Sequence, residues 1–165
     1  VLASGRLVTD DLTNRIVAER LERPDCTRGF ILDGYPRTLA QAEWLSTWVA
    51  RRGWSQVVVN LQVDYEVIVG RISARRQCPQ CGASYNLVFN PPQRDEVCDR
   101  DQTPLIIRED DQEAVVRQRF EAYRQQTAPL LDYFRKAGGA FHDVDGSTGG
   151  PDGIARRIVE QLRLG

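Results

Sequence analysis

Four side chains in an otherwise aperiodic stretch have the types and the spacing to hold a metal ion. Cys78-x2-Cys81 lies in CPQCG and Cys98-x2-Asp101 in VCDRD, with sixteen residues between Cys81 and Cys98. Two knuckle-like pairs across such a span are what a tetrahedral Zn²⁺ site requires: thiolates supply soft ligands, Gly82 permits a tight turn, and a carboxylate can complete the set. Asp99, Asp95 and Glu96 compete with Asp101 for the fourth place, and a Cys78–Cys81 disulfide or an empty knuckle are the alternatives. Four protein ligands leave no open coordination position, so the metal's role would be structural. Cys26 and the only histidine, His142, carry no partner pattern and read as packing or surface.

A second constellation lies in GFILDGYPRTLAQAEWL, Gly29 to Leu45. A short apolar run, Phe30 to Leu32, leads directly into Asp33, Gly34, Pro36 and Arg37. A carboxylate and a guanidinium just past the end of a strand suit a phosphate with an associated cation, the acid reaching Mg²⁺ or its waters and the arginine reaching phosphate oxygens. The alternative is an Asx-turn closing the strand beside an exposed arginine. Further arginines flank the cysteine segment on both sides, in RISARR (71–76) and IREDDQEAVVRQR (107–119). The spacing of Arg71 and Arg75 predicts one shared helix face. Arg108 precedes a predicted helix start at Asp110 and Asp111, and Arg119 follows along that helix. By themselves these read as solvated surface cations, with convergence on a polyphosphate as the alternative.

The elements that must position these groups alternate. Helices are predicted from Thr9 or Asp10 to Leu21, from a Thr38 cap to Arg52 with Gly53 as its stop, from an Asp64 cap to Arg76, from Asp110 to Lys136 with a bend near Pro129, and from Pro151 to Leu162. Strands are predicted at 30–33, 57–63 and 141–144. Alternation of strands and helices implies a parallel sheet covered on both sides, with ligands beyond the carboxyl ends of its strands. Residues 77–109 lack periodicity and are too long for an ordinary loop, so they read as an inserted unit.

Composition bounds the function. The chain has 165 residues, 41% hydrophobic and 27% charged, enough for one α/β domain with an insertion. A net charge of −1 argues against general nucleic-acid binding. No apolar stretch is long enough to span a membrane and no secretory leader pattern opens the chain, so a cytoplasmic protein without membrane partners is expected. Of the 22 basic residues, only Lys136 is a lysine.

Taken together, these motifs resemble the adenylate kinases, in the long form whose lid carries a zinc knuckle. The resemblance runs through LVTDDLTNRIVAERL, GFILDGYPRTLAQAE, RISARR, CPQCG, VCDRD, IREDDQEAVVRQRFEAY and VDG at 144–146, essentially the whole chain. It implies a P-loop nucleoside monophosphate kinase-like α/β fold with an inserted zinc-binding lid. The expected divisions are 1–24, the remainder of an AMP-binding segment; 25–76, the first core part; 77–109, the lid; and 110–165, the second core part. The implied reaction is phosphoryl transfer from Mg²⁺·ATP to AMP, giving two ADP. In that reading Arg37 holds the AMP phosphate, Gln41 reads the adenine edge, and Leu7, Val8 and Gly34 line the AMP segment. Asp33 sits in the Mg²⁺ water shell. Arg71 and Arg108 contact ATP, Arg75 and Arg119 reach the transferring phosphoryl, and Arg108 and Arg119 also serve the AMP side. Asp143 offers backbone near the ATP base, and Asp110 and Asp111 support the lid hinge. Zn²⁺ and Mg²⁺ are the implied metals, and the resemblance suggests a monomer.

The chain departs from the family pattern in one respect: it contains no G-x-x-x-x-G-K-[ST], and Lys136 lies in the wrong context to replace that lysine. With Val1 at its start and no methionine, the chain reads as the remainder of a longer enzyme, inactive by itself and lacking a central strand between those predicted at 30–33 and 57–63. A non-catalytic nucleotide-binding remnant and a zinc-ribbon interaction module are the competing readings.

Overall fold

The computed structural model of the chain describes residues 9–163. Leu7 and Val8 therefore lie outside the described residues. The described chain forms two compact units, one built from the residues up to 58 together with 122–141, the other from 59–121 together with those from 142 onward.

In the first unit, helix α1 (Asp10–Leu21) starts where Thr9 accepts the Leu12 N–H, and α2 (Leu39–Ala50) starts where Thr38 accepts the Gln41 N–H. Both caps satisfy amides that a helix start leaves unpaired. The core holds Ala42 of α2 with Leu130 and Phe134 of α5 (Pro129–Lys136), and Val58, Tyr133 and Phe141 pack around them. Between α4 (Glu113–Ala122) and α5 the chain widens into a π turn over Tyr123–Thr127, with the Ala128 N–H donating to the Tyr123 carbonyl. Pro129 has no N–H to return to residue 125, and the widened turn just ahead of it accommodates that gap. The predicted single helix from 110 to 136 is thus three segments, preceded by a short 3₁₀ turn at Glu109–Asp111.

Strand β1 (Val57–Gln62) pairs with β4 (Ala140–Asp145). The pairing is parallel: the Asn60 amide reaches the Asp143 carboxylate at 2.7 Å and the Gly146 N–H reaches the Gln62 carbonyl at 2.8 Å, so both chains advance together. The predicted strand at 30–33 is corrected. Residues 29–32 join no ladder, and Ile31 is 95% exposed. An extended apolar run becomes a strand only when a neighbour takes its backbone groups, and none does so among the described residues.

In the second unit α3 (Tyr65–Ser73) ends three residues earlier than predicted, and Arg75–Gln77 form strand β2, antiparallel to β3 (Ser84–Asn86). Pairing of Arg76 with Tyr85 captures backbone that would otherwise extend the helix. Arg71 and Arg75 therefore do not share a helix face. Helix α6 (Gly150–Leu162) closes the unit. Among the described residues no helix is long and apolar enough to cross a membrane.

Candidate functional site

The two cysteine segments fold into equivalent knuckles. Each first cysteine donates its N–H five residues ahead (Cys78 to Ala83 at 2.8 Å, Cys98 to Thr103 at 2.9 Å), and its carbonyl accepts from four residues ahead (Gly82 at 3.1 Å, Gln102 at 2.9 Å). Gly82 and Gln102 both adopt positive φ, +72° and +62°. Asp101 consequently stands in the second knuckle where Cys81 stands in the first. This equivalence separates the acids that sequence spacing left open: the Asp99 carboxylate accepts the Gln93 N–H at 2.8 Å, and Glu96 pairs with Arg76 at 3.6 Å. Among the described residues, Cys78, Cys81, Cys98 and Asp101 form the group able to hold a metal, with their ligand atoms all within 4.8 Å of one another.

These residues fit a tetrahedral cation. Metal–sulfur bonds near 2.3 Å give a tetrahedron with edges of about 3.8 Å. The Cys81 and Cys98 sulfurs are 3.6 Å apart, and the Cys78 sulfur is 3.4 Å from both Asp101 oxygens. Cys78 and Cys98 are fully buried, while Cys81 faces solvent. The donor set demands positive charge. Although the Ala83 backbone lowers it, the Cys81 thiol is pushed up to about 12 by the Asp101 carboxylate, burial and the two neighbouring sulfurs. Burial works to raise Cys98, yet the Tyr85 hydroxyl and the Arg100 and Asp101 backbone outweigh it and hold that thiol below its ordinary value. The Thr103 N–H, followed by the Cys81 thiol, holds Asp101 well below the usual carboxylate range. Four donors this close cannot all ionise unless a cation neutralises them.

The arginines of the same unit gather on the turn that follows. Arg108 forks onto the Asp110 carboxylate through Nε at 2.8 Å and Nη2 at 2.7 Å, and Arg119 donates to the Asp110 carbonyl at 3.4 Å. Arg75 reaches the Asp111 carboxylate at 3.2 Å. The Asp111 side chain is fully buried, Arg75 is one-third exposed, and among the described residues the second Asp111 oxygen has no hydrogen-bond partner. Hydrogen bonding from Arg108 holds the Asp110 carboxyl below its ordinary value. Three of the four expected arginines thus converge on Asp110 and Asp111. Arg71 stands apart, donating to the Ser147 carbonyl at 3.0 Å, with its guanidinium over the Phe89 ring. Asp143 accepts from Asn60 through its side chain and from Gln161 through its carbonyl.

In the first unit the DGYPR segment forms a turn with a cis Tyr35–Pro36 peptide. Gly34 has φ +73°, and a Cβ there would lie 3.0 Å from the Arg37 Nη2. The Arg37 guanidinium folds back, Nε donating to the Gly34 carbonyl at 2.7 Å. The Gln41 amide is buried, its oxygen taking the Arg37 N–H at 2.8 Å and its nitrogen donating to Asp10 at 2.7 Å. Asp10 also accepts the Thr38 hydroxyl, tying the starts of α1 and α2 together. Thr127 in the π turn donates to the Arg37 carbonyl, and Tyr35 donates to the buried Asn14. Asp33 is exposed. Sequence reasoning named Asp10 and Thr38 only as cap residues and missed Asn14, Thr127 and Tyr85 altogether. No local spacing ties Asp10 to Gln41, but a lone tyrosine within a polar cysteine segment was a usable signal.

The parallel strand pair, the metal-capable knuckle pair and the arginines on the turn after it lie in a chain whose sequence matches the nucleoside monophosphate kinases, which are phosphotransferases. The sequence model of the family described as adenylate kinase matches residues 1–139. An adenylate kinase of Finegoldia magna is 47% identical over 167 residues, covering 100% of this chain and 76% of the relative. That of Thermotoga petrophila is 46% identical over 165 residues (99% and 73%), and that of Anaeromyxobacter dehalogenans 48% over 155 residues (93% and 72%). The chain belongs to the adenylate kinase family.

Proposed function

We propose that the protein catalyses reversible phosphoryl transfer from Mg²⁺·ATP to AMP, giving two ADP. The observation that carries this reading is the collection of Arg75, Arg108 and Arg119 on one carboxylate turn at the base of the knuckle insertion. Phosphoryl transfer asks for positioning and charge neutralisation rather than covalent chemistry. Guanidiniums held in place before substrate arrives supply both with less reorganisation than free side chains. In this reading Arg37, Gly34 and Gln41 form the AMP side with Leu7 and Val8, and Arg71 and the Asp143 backbone serve ATP. Arg75, Arg108 and Arg119 face the phosphates. Mg²⁺, bound with ATP, neutralises phosphate charge; exposed Asp33 is the residue suited to its water shell. Zn²⁺ on Cys78, Cys81, Cys98 and Asp101 is structural, stapling residues 77–109 into a lid that excludes water. We further read the protein as a cytoplasmic monomer.

The test is coupled ADP formation from ATP and AMP, using protein expressed from the full reading frame that carries these residues. Arg37→Ala and Arg119→Ala each lower kcat/KM by about 100-fold or more, the scale of losing one positioned donor to developing charge. Unchanged rates in both variants would overturn the assignment of these arginines, and absence of ADP formation by the unaltered protein would overturn the reaction.

A further inference from the structure

We infer that Tyr85 is a positioning residue of the metal centre, its phenol donating to the Cys98 sulfur and fixing that ligand. Tyr85 lies in β3, opposite Arg76, with its side chain buried among Cys78, Cys98 and Leu105. Its oxygen is 3.4 Å from the Cys98 sulfur and 2.9 Å from the Asp99 nitrogen. A phenol has one proton and can accept hydrogen bonds. The Asp99 N–H is necessarily the donor in one contact, so the single phenol proton is left for the other. A metal-bound thiolate has no proton to give, which sets the direction: tyrosine donates and sulfur accepts.

Tyr85 therefore does two things with one hydroxyl. It orients the Cys98 sulfur, and it holds the Asp99 backbone two residues before the ligand Asp101. The same short turn is pinned from its other side by the Asp99 carboxylate on the Gln93 N–H. At Cys78 the nearby N–H donor is the backbone of Cys81 at 3.4 Å, and Asp101 accepts the Thr103 N–H at 3.0 Å. At Cys98 the donor is a side chain outside the ligand set, so this is a contact that substitution can remove without touching a ligand. Donors to metal-bound groups orient them and tune them, and their loss costs about 10- to 100-fold in metal affinity.

This inference rests on the cluster taking a tetrahedral metal, and the experiment separates the two. The protein is loaded with Co²⁺, whose thiolate charge-transfer bands report on sulfur, and Zn²⁺ affinity is measured by competition with a chromophoric chelator. Tyr85→Phe keeps the ring and removes the hydroxyl. The expected result is a charge-transfer band moved to lower energy and Zn²⁺ affinity lowered by about 10-fold or more. Replacement of the tyrosines by 3-fluorotyrosine, a more acidic phenol and stronger donor, moves the band the opposite way, a readout that survives if Tyr85→Phe fails to fold. Unmoved bands in both preparations would reduce Tyr85 to packing while leaving the metal centre standing. Failure of the unaltered protein to take up Co²⁺ would overturn both.

Discussion

Removing the metal should unfold residues 77–107 while the helical core of the first unit stays folded. The buried apolar content of this segment is small: Cys78, Tyr85, Cys98 and Leu105, with Ala83 packed against them. Its two large side chains contribute about 1.5–3 kcal/mol each when fully buried. A structural Zn²⁺ in a small knuckle contributes about 10–16 kcal/mol of apparent folding free energy. The metal term therefore exceeds the apolar term by about twofold or more, and the three-residue strands β2 and β3 add little on their own. Without metal, the donor cluster also turns from asset to liability, because three thiols and a carboxylate are left crowded together. The assay is hydrogen exchange with limited proteolysis, before and after chelation, and again in Cys98→Ser. Protection of 77–107 should fall by at least about a thousandfold, which requires the loss of only ~4 kcal/mol. Peptides covering Ala42, Leu130 and Phe134 should keep theirs. Unchanged exchange and cleavage after metal analysis confirms complete removal would refute the reasoning, and would mean that packing and turn hydrogen bonds hold the knuckles unaided.

Gly34→Ala should cost about 1–2 kcal/mol in denaturant midpoint, the penalty of a positive φ at a residue with a Cβ, and should raise the KM for AMP because the new methyl displaces the Arg37 guanidinium; an unaltered KM would separate Arg37 from the AMP side. Gln102→Gly should stabilise the knuckle by about 1 kcal/mol, since Gln102 holds φ +62° where the equivalent first-knuckle position is Gly82; slower metal release to a chelator is the readout, and faster release would show that the Gln102 side chain matters more than its backbone. Burial, then the Asp10 carboxylate, push the Tyr35 phenol up to about 12. A folded value above the unfolded one of about 10 means that the folded state holds the proton more tightly. Its stabilising contribution is complete below pH ~10 and is lost as pH rises toward 12. Chemical-denaturation midpoints across that range should show an alkaline loss in the unaltered protein that Tyr35→Phe lacks, and parallel curves would contradict it.

Local signals carried much of this structure and none of its long-range relations. Thr9 and Thr38 announce α1 and α2 because a cap acts within three residues. The valine run at 57–59 and the segment at 140–145 announce strands that do pair. Phe30–Leu32 carries the same apolar signature yet forms no strand, because pairing belongs to two segments and the sequence of one cannot show it. Arg75 fails for the same reason: helical spacing places it with Arg71, but a ladder to β3 claims its backbone. The knuckle ligands were legible by spacing, Asp101 included through Cys98-x2-Asp101; several acids crowd 95–101 as competitors, and the turn equivalence of Asp101 with Cys81 separates it from them. The Arg37–Gln41–Asp10 relay was hidden because Asp10 lies 31 residues from Gln41.

In the proposed function, the arginine turn gives carboxylates a use beside residues assigned to phosphate. A guanidinium left alone samples many rotamers and loses that freedom when substrate binds. Arg108, forked on Asp110 through two N–H groups, has already lost it. The arrangement has a cost, since the fork that fits a carboxylate bidentately also fits a phosphate, and an incoming phosphate at that edge must displace Asp110. Arg75 is held differently: among the described residues its guanidinium makes one contact, at 3.2 Å, to a carboxylate whose other oxygen has no partner there, leaving most of its N–H groups available. In the proposed reaction these are two kinds of readiness. Arg75 can meet a phosphoryl group while keeping its anchor, whereas Arg108 either exchanges one anion for another or engages through its remaining N–H groups. Arg119, in contact with Asp110 through the carbonyl and at 3.8 Å from its carboxylate, stands beside that same exchange. When a phosphate takes Arg108, Asp110 keeps a cationic neighbour in Arg119, and the released carboxylate need not be left beside nucleotide charge without a counter-ion.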